Sequence, residues 1–217
     1  MSDERQTVHH PVFARVYERF VAAREGEEIR TRRERLLAGL AGRVLEVGAG
    51  TGVTFLLYPP TVSEVVALEP EAHLRRLAEQ AARSTPVPVT VRDGLAQQIP
   101  EPDASFDAAV VSLVLCSVPD QAAALAELRR ILRPGGQLRF FEHVVSRHRV
   151  KAGIQRGLQA SIWPRLAGGC HPARDTGAAI AAMGFTIEWC DRLGAAPKQP
   201  PFPFLLGSAV RPTGAQH

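Results

Sequence analysis

Apolar residues near the start of the chain recur at the spacing of one helical face. The members of this stripe are Phe13, Val16, Tyr17, Phe20 and Val21. Their 3.6-residue period predicts helix within residues 12–40. The charged run REGEEIRTRRER follows and indicates a solvated helix face or a break between two helices. We therefore expect residues 1–40 to form an N-terminal helical cap.

Beyond residue 40, short apolar runs alternate with amphipathic segments. The predicted strands are RVLEVG, EVVALEP, VPVTVRDG, FDAAVVSLVLC and QLRFFEHV. The predicted helices are TFLLY, which Pro59-Pro60 stops, EAHLRRLAEQAAR and QAAALAELRRIL. Asp120 is placed to cap the last of these helices, and Pro134-Gly135-Gly136 is expected to end it.

The pattern loosens after Val144 and becomes regular again near residue 175. Residues 146–173 are rich in Arg, Gly and Pro and are predicted to be an insertion or lid over an acceptor site. A helix is expected at 175–183, and FTIEWC and FLLGSAV read as two further strands. Strands that are apolar on both faces and alternate with helices predict an α/β fold with a doubly wound, seven-stranded, mostly parallel sheet. We expect residues 1–217 to form a single domain that binds its ligand at the carboxyl ends of the strands.

Charge and composition exclude several classes of partner. The 217 residues carry a net charge of +4, but the basic residues are scattered and almost all are arginine. Because a concentrated basic stripe is the usual footprint, we expect no nucleic-acid partner. No apolar run approaches the roughly 20 residues that span a bilayer, and the first residues, MSDERQTVHH, lack the apolar core of a signal peptide. A cytoplasmic protein without stable membrane insertion is the expectation.

The cysteine content is low, with Cys116, Cys170 and Cys190 as its members. They form no CxxC pair and no ladder of ligands, so the sequence predicts neither a disulfide framework nor a metal site.

The stretch RVLEVGAGTG places three glycines at alternate positions directly after an apolar strand. Such a loop lets the backbone turn sharply and approach a ligand. No lysine follows the last glycine, which argues against a P-loop, and the G-x-G-x-G spacing differs from the G-x-G-x-x-G of dinucleotide folds. Glu46 would repel a pyrophosphate and suits a ligand that carries positive charge. Neither tyrosine has a lysine four residues later, which also disfavours a Tyr-x-x-x-Lys oxidoreductase.

The E-x-G-x-G-x-G stretch, together with Glu69 at the end of the second strand, resembles the first two motifs of the class I S-adenosylmethionine-dependent methyltransferases, which are Rossmann-like. The resemblance implies S-adenosylmethionine as cofactor and a glycine loop that faces its methionine part. The loop residues are Gly48, Ala49, Gly50, Thr51 and Gly52. It also implies that Glu69, followed by Pro70, accepts hydrogen bonds from the ribose hydroxyls. Glu46 is either a cofactor contact or an acid that caps or supports the loop.

The third strand tip reads DGLAQQIP, where many relatives have Gly-Asp-Ala. By position, Gly94, Leu95 and Ala96 are expected beside the adenine, with Leu95 packing on the purine ring and the Ala96 backbone reading its edge.

Four later segments resemble a narrower branch of the same family: SLVLCSVPD, ILRPGG, FEHV and GGCHPARDT. This branch contains small bacterial methyltransferases and eukaryotic methyltransferase-like thiol methyltransferases, and the resemblance covers about residues 40–190. It implies methyl transfer to a small-molecule acceptor, a thiol among the candidates. Quinone or phospholipid methyltransferases, and a non-catalytic module that binds S-adenosylmethionine, are the alternatives.

Candidate residues for the acceptor side follow from their positions. Ser112 and Leu113 are expected beside the transferred methyl group. Glu142 and His143 end the fifth strand, and His143 has the intrinsic pKa of a general base, although a histidine packed at the sheet edge is the other interpretation. Arg174 could orient an anionic acceptor, or form an ion pair or helix cap together with Asp175. Cys116 is interpreted as a buried packing residue.

Overall fold

The computed structural model describes residues 27–194 and 202–214, in which strands and helices alternate. The strands are β1 Gly42–Val47, β2 Val62–Leu68, β3 Val89–Arg92, β4 Phe106–Ser112, β5 Leu132–His143, β6 Thr186–Leu193 and β7 Phe204–Val210. The α-helices are α1 Glu27–Leu37, α2 Ala72–Ala82, α3 Gln121–Ile131, α4 Arg149–Gln159, α5 Trp163–Leu166 and α6 Thr176–Ala182. The apolar stripe at residues 13–21 lies outside the described residues.

The strands form one seven-stranded sheet with the order β3-β2-β1-β4-β5-β7-β6. Strands β1 to β5 pair in parallel with one another, whereas β7 pairs antiparallel with both β5 and β6. The predicted doubly wound, mostly parallel sheet is therefore confirmed. The chain moves outward from β1 to β3 and then returns to place β4 beside β1. Such a reversal of strand order opens a crevice at the carboxyl ends of the strands.

Both faces of the sheet are buried against helices, which explains the continuous apolar runs of its strands. On one face, Phe106 and Phe140 pack with Leu125 and Leu128 of α3. On the other face, the residues that share the core include Leu36 and Leu37 of α1, Val44, Phe55 and Val110. None of the helices within 27–194 and 202–214 is long and apolar enough to cross a membrane.

Three helices begin at an acidic residue whose side chain accepts a hydrogen bond from a free backbone N–H group. Asp120 accepts from the Ala123 amide at the start of α3, as predicted. Glu71 accepts from Leu74 at the start of α2. Asp175 does the same for α6, so of the interpretations open for Asp175 the structure shows the helix cap.

Three predicted boundaries differ from the structure. Strand β4 ends at Ser112 rather than at Cys116, because Leu113 adopts a left-handed backbone conformation with φ of 61°. Helix α3 ends at Ile131, and Pro134-Gly135-Gly136 lies within β5 at an irregular step of its pairing with β4. The helix predicted at TFLLY, up to Pro59-Pro60, is a 3-10 helix of only three residues, Phe55–Leu57.

Residues 146–173 contain two helices, α4 and α5, where the sequence pattern was irregular. The buried Gln155 side chain fixes α4 to the end of β5. Its Oε1 accepts from the Ser146 amide at 2.6 Å, and its Nε2 donates to the carbonyls of Val144 and Pro172 at 3.0 and 2.8 Å. One buried amide thus joins both ends of the 146–173 segment to the sheet.

Candidate active site

The glycine loop after β1 has the backbone geometry that its sequence indicated. Gly48, Gly50 and Gly52 have φ values of 70°, 58° and 79°, a region that favours glycine. A Cβ atom on Gly48 would lie 2.5 Å from Cγ2 of Val114. The loop that follows β4 therefore packs directly against the glycine loop, across the point where the strand order reverses.

Glu69 follows β2 and points its carboxylate at the glycine loop. Its Oε2 accepts from the Gly50 amide at 2.8 Å, and its Oε1 accepts from the Glu71 amide at 3.0 Å. The side chain is 5% exposed, and burial raises its pKa to about 7, although the two backbone donors act in the opposite direction. Each oxygen keeps a further lone pair, so the carboxylate can accept from both hydroxyls of a vicinal diol.

Glu46 lies inside β1, and two side chains of the following segment donate hydrogen bonds to its carboxylate. Thr54 donates to its Oε1 at 2.6 Å and Tyr58 to its Oε2 at 2.7 Å. Burial raises the pKa of Glu46, and the two hydroxyl donors partly offset that effect. These contacts match the interpretation of Glu46 as an acid that supports the loop, and a direct cofactor contact stays a prediction.

The remaining predicted cofactor residues also lie at this edge. Leu95 is half-buried and forms an isolated bridge with Gln98, while Ala96 is buried. A Cβ on Gly94 would be 3.1 Å from Leu68, so the segment passes close to the end of β2. Asp93 instead points to solvent and pairs with Arg75 at 3.2 Å. The edge thus presents apolar and backbone groups where the adenine was predicted.

The loop after β4 is held from beneath by Glu142. The Glu142 side chain is fully buried, and its carboxylate accepts from the amides of Val114, Leu115 and Cys116, each at 3.0 Å. Burial raises its pKa well above the ordinary value. Ser112, half-buried, and Leu113 lead into this loop, and the Leu113 amide donates to Phe141 at 2.7 Å.

Arg174 holds the same loop from the other side. Its guanidinium donates to the carbonyls of Leu115 at 2.8 Å, Val118 at 2.7 Å and Pro119 at 3.3 Å. Glu142 and Arg174 therefore hold residues 114–119 from two sides through contacts with backbone groups. The structure shows them as positioning residues for this loop, and the catalytic role that the sequence suggested for either of them stays a prediction.

His143 ends β5 and lies between aromatic rings and two thiols. Its ring is 4.5 Å from the Phe204 ring and 6.2 Å from the Phe202 ring, centroid to centroid. Its Nδ1 lies 3.9 Å from Sγ of Cys116 and 3.6 Å from Sγ of Cys170. A hydrogen bond with Cys170 and burial raise the pKa of the Cys116 thiol to about 12, whereas the same hydrogen bond lowers the pKa of Cys170.

The sequence did not predict the hydrogen bonds from Thr54 and Tyr58 to Glu46. It also did not predict that His143 lies beside Cys116 and Cys170. Thr54 and Tyr58 could have been found, since both lie within a short loop after a buried acid. The sulfur atoms could not, because each cysteine is 27 residues from His143 in the sequence. Only the packing of the 167–174 segment on the loop after β4 brings them together.

The order of the sheet, the glycine loop after β1 and the acid after β2 together define a class I S-adenosylmethionine-dependent methyltransferase. S-Adenosylmethionine is the cofactor, and the residues present fit it. The loop can approach its methionine part, and Glu69 has lone pairs free for the ribose hydroxyls.

Comparisons with known proteins agree with this class. A family model described as a methyltransferase domain matches residues 45–140. The human thiol S-methyltransferase TMT1B is 34% identical over 187 residues, covering 81% of this chain and 74% of the human protein. The ubiquinone/menaquinone biosynthesis C-methyltransferase UbiE of Syntrophotalea carbinolica is 30% identical over 140 residues, or 63% of this chain and 58% of that protein.

A solved S-adenosylmethionine-dependent methyltransferase from Mesorhizobium loti shares the fold. It has a TM-score of 0.63 and 21% identity, and the match covers 86% of this chain and 99% of the other. The chain belongs to the S-adenosylmethionine-dependent methyltransferases and is an enzyme that acts on a small-molecule acceptor.

Proposed function

We propose that this enzyme methylates the sulfur of a small thiol. The observation that carries the proposal is the similarity to thiol S-methyltransferases over 81% of the chain, with 34% identity to the human example. The matched region includes the loop after β4 and the end of β5, where the acceptor side is expected. S-Adenosylmethionine supplies an electrophilic methyl group on its sulfonium.

The proposed binding of the cofactor follows from the edge of the sheet. The glycine loop, Gly48 to Gly52, lies against the methionine part, and Glu69 with Pro70 binds the ribose. Gly94, Leu95 and Ala96 enclose the adenine, and Ser112 and Leu113 flank the methyl group. Glu46 supports the loop through Thr54 and Tyr58.

Methyl transfer requires alignment more than proton transfer. The acceptor sulfur must lie in line with the methyl–sulfur bond at about 3–3.5 Å. A thiol with a pKa near 8.5 is already partly ionised at neutral pH, so at most a weak base is needed. The enzyme then contributes a rigid surface that positions the acceptor. Glu142 and Arg174 hold the loop after β4 in one position, and residues 146–173 are proposed to cover the acceptor.

A quinone acceptor is the second candidate, favoured by the similarity to UbiE and by the aromatic rings near His143. The Phe202 ring stacks on Trp163 at 5.4 Å and lies 6.2 Å from His143, so a flat acceptor would find stacking partners.

The experiment offers S-adenosylmethionine with a labelled methyl group, together with a small aliphatic thiol, a quinol or an aminolipid. We expect label in the methyl thioether. Glu69→Ala should reduce transfer at low cofactor concentration, and Glu79→Ala, which removes an exposed acid of α2, is the matched control. Label in the quinol product with none in the thioether would contradict the proposal and select the second candidate.

A further inference from the structure

Two cysteines and a histidine from three separate segments converge beside the acceptor side of the site. Cys116 comes from the loop after β4, His143 from the end of β5, and Cys170 from the segment before α6. Their Sγ and ring nitrogen atoms all lie within 4.8 Å of one another. Both cysteines are buried and His143 is half-buried, so the cluster is sheltered by protein but not closed on every side.

The distances match the edges of a metal-centred tetrahedron. With Zn–S near 2.3 Å and Zn–N near 2.0–2.1 Å, tetrahedral geometry puts a sulfur and a nitrogen ligand about 3.6 Å apart. The observed separations from Nδ1 of His143 are 3.6 Å to Cys170 and 3.9 Å to Cys116. Both sulfur–nitrogen separations are therefore within a few tenths of an ångström of the value that a tetrahedral zinc ion requires.

The backbone holds both sulfur-bearing segments together. The amide of His171 donates to the carbonyl of Cys116 at 2.7 Å. Because His171 directly follows Cys170, this hydrogen bond ties the two cysteine-bearing segments together. Gly169 has φ of 86°, and a Cβ there would lie 2.5 Å from the Ser117 carbonyl oxygen. Glu142 and Arg174 fix the Cys116 loop from both sides, as described above. Ligands held in place before an ion arrives lose little conformational freedom on binding it.

The nature of the donors indicates which ion. Two thiolates and one imidazole are soft and borderline ligands, which select zinc over magnesium or calcium. Three protein ligands with an open fourth position are typical of catalytic zinc sites. Zn²⁺ with two thiolates carries no net charge.

We propose that Cys116, His143 and Cys170 bind Zn²⁺ and that the acceptor thiol occupies the fourth position as a thiolate. The second half of this statement rests on the proposed function. On coordination the thiol loses its proton to solvent, since a coordinated thiol is deprotonated. The sulfur lone pair then forms the new S–C bond while the methyl–sulfonium bond breaks, giving a methyl thioether and S-adenosylhomocysteine. In this arrangement His143 is a ligand and no separate base is required.

The test of the metal site uses the full chain, reduced and freed of metal with a chelator, and then titrated with Zn²⁺ or Co²⁺. We expect one Zn²⁺ per chain by metal analysis and a thiolate-to-cobalt charge-transfer band with Co²⁺, which histidine-only sites cannot produce. Cys116→Ser, Cys170→Ser and His143→Asn should each weaken binding at least tenfold. Cys190→Ser, which alters the exposed cysteine of β6, should leave it unchanged.

Circular dichroism identifies any variant that fails to fold, and His143→Asn keeps both thiols in the core. The metal site is overturned if the folded wild-type chain binds no Zn²⁺ or shows no thiolate band. It is also overturned if Cys116 and Cys170 are found as a disulfide in the chain as isolated, before reduction.

A second arm separates this inference from the proposed function. Addition of a small thiol to the Co²⁺-loaded chain should intensify the charge-transfer band, and the His143→Asn variant should not respond. If thiols are methylated but the band does not change, the coordination of the acceptor is wrong and the proposed function stands. If the band responds but no thiol is methylated, the metal site stands and the proposed function fails.

Discussion

Replacement of Glu69 by glutamine is the sharpest test of the cofactor site. Glu69 accepts hydrogen bonds from the amides of Gly50 and Glu71, and it is proposed to accept two more from the ribose. In Glu69→Gln, an NH₂ group replaces one oxygen. In either orientation that group faces one backbone N–H, of Gly50 or of Glu71, and one ribose hydroxyl that donated to the replaced oxygen. One buried donor therefore loses its partner in every orientation of the amide.

The size of the effect follows from the loss of one hydrogen bond to a charged group. Such bonds contribute about 1.5–3 kcal/mol, which corresponds to about a 10- to 150-fold increase in the dissociation constant. Calorimetric titration with S-adenosylhomocysteine measures this directly and requires no knowledge of the acceptor. At pH 8 we expect Glu69→Gln to bind S-adenosylhomocysteine about 10- to 150-fold more weakly than the wild type.

The raised pKa of Glu69 gives the same assay a pH dependence. With a pKa of about 7 in the folded protein, the carboxylate is largely protonated at pH 6 and largely ionised at pH 8. If the ribose binds the ionised form, the wild-type affinity falls about tenfold from pH 8 to pH 6, in proportion to the competent fraction. Glu69→Gln has no group to titrate at this position and should show a flat profile.

The ligand-free protein should show the opposite trend in stability. The ordinary pKa of the carboxyl is 4.5, and burial raises it to about 7. The folded state then holds the proton more tightly than the unfolded state between these pH values. The free energy of unfolding accordingly falls as pH rises from about 4.5 to about 7. Glu69→Gln should lack this part of the slope in urea unfolding measured across that range.

Glu71→Gln is the matched control for the binding experiment. Glu71 is a buried acid two residues away, but its carboxylate caps α2 through the Leu74 amide. The glutamine still offers an oxygen to the Leu74 amide, so the replacement should cost less than about 1 kcal/mol of stability and leave the affinity for S-adenosylhomocysteine unchanged. The reasoning is refuted if Glu69→Gln binds S-adenosylhomocysteine within twofold of the wild type while Glu71→Gln does not.

Three further substitutions test the loop, a cap and the core, each measured by urea unfolding. Gly48→Ala should cost about 1–3 kcal/mol, because φ is 70° and the new Cβ would lie 2.5 Å from Val114; an unchanged midpoint would mean that the two loops do not pack as described. Asp120→Ala should cost about 0.5–2 kcal/mol through the lost cap on α3, and Asp120→Asn, which can still cap, should recover most of it. Leu128→Ala should cost about 2–5 kcal/mol, since Leu128 is fully buried, and a cost below 1 kcal/mol would contradict its place in the core.

Much of the fold could be predicted from local patterns. The Asp120 cap was predictable because an acid directly before an amphipathic run can satisfy a free backbone N–H of the first turn. The predictions failed at boundaries that long-range contacts decide. Residues 113–116 continue the apolar pattern of β4. The amides of Val114, Leu115 and Cys116 donate instead to the buried carboxylate of Glu142, and the strand ends at Ser112.

The cofactor side and the acceptor side of the site also differ in how far local sequence patterns predict them. The sequence by itself was enough to predict the cofactor side, because Gly48 and Glu69 directly follow β1 and β2 and parallel strands bring their carboxyl ends to one edge. Only the tertiary structure decided the acceptor side, where Glu142 and Arg174 turned out to hold a loop and His143 meets two thiols. The contacts of Cys170 and Arg174 depend on how the 146–174 segment packs against the loop after β4. No short-range period in the sequence encodes that path, because its energy comes from packing between residues distant along the chain.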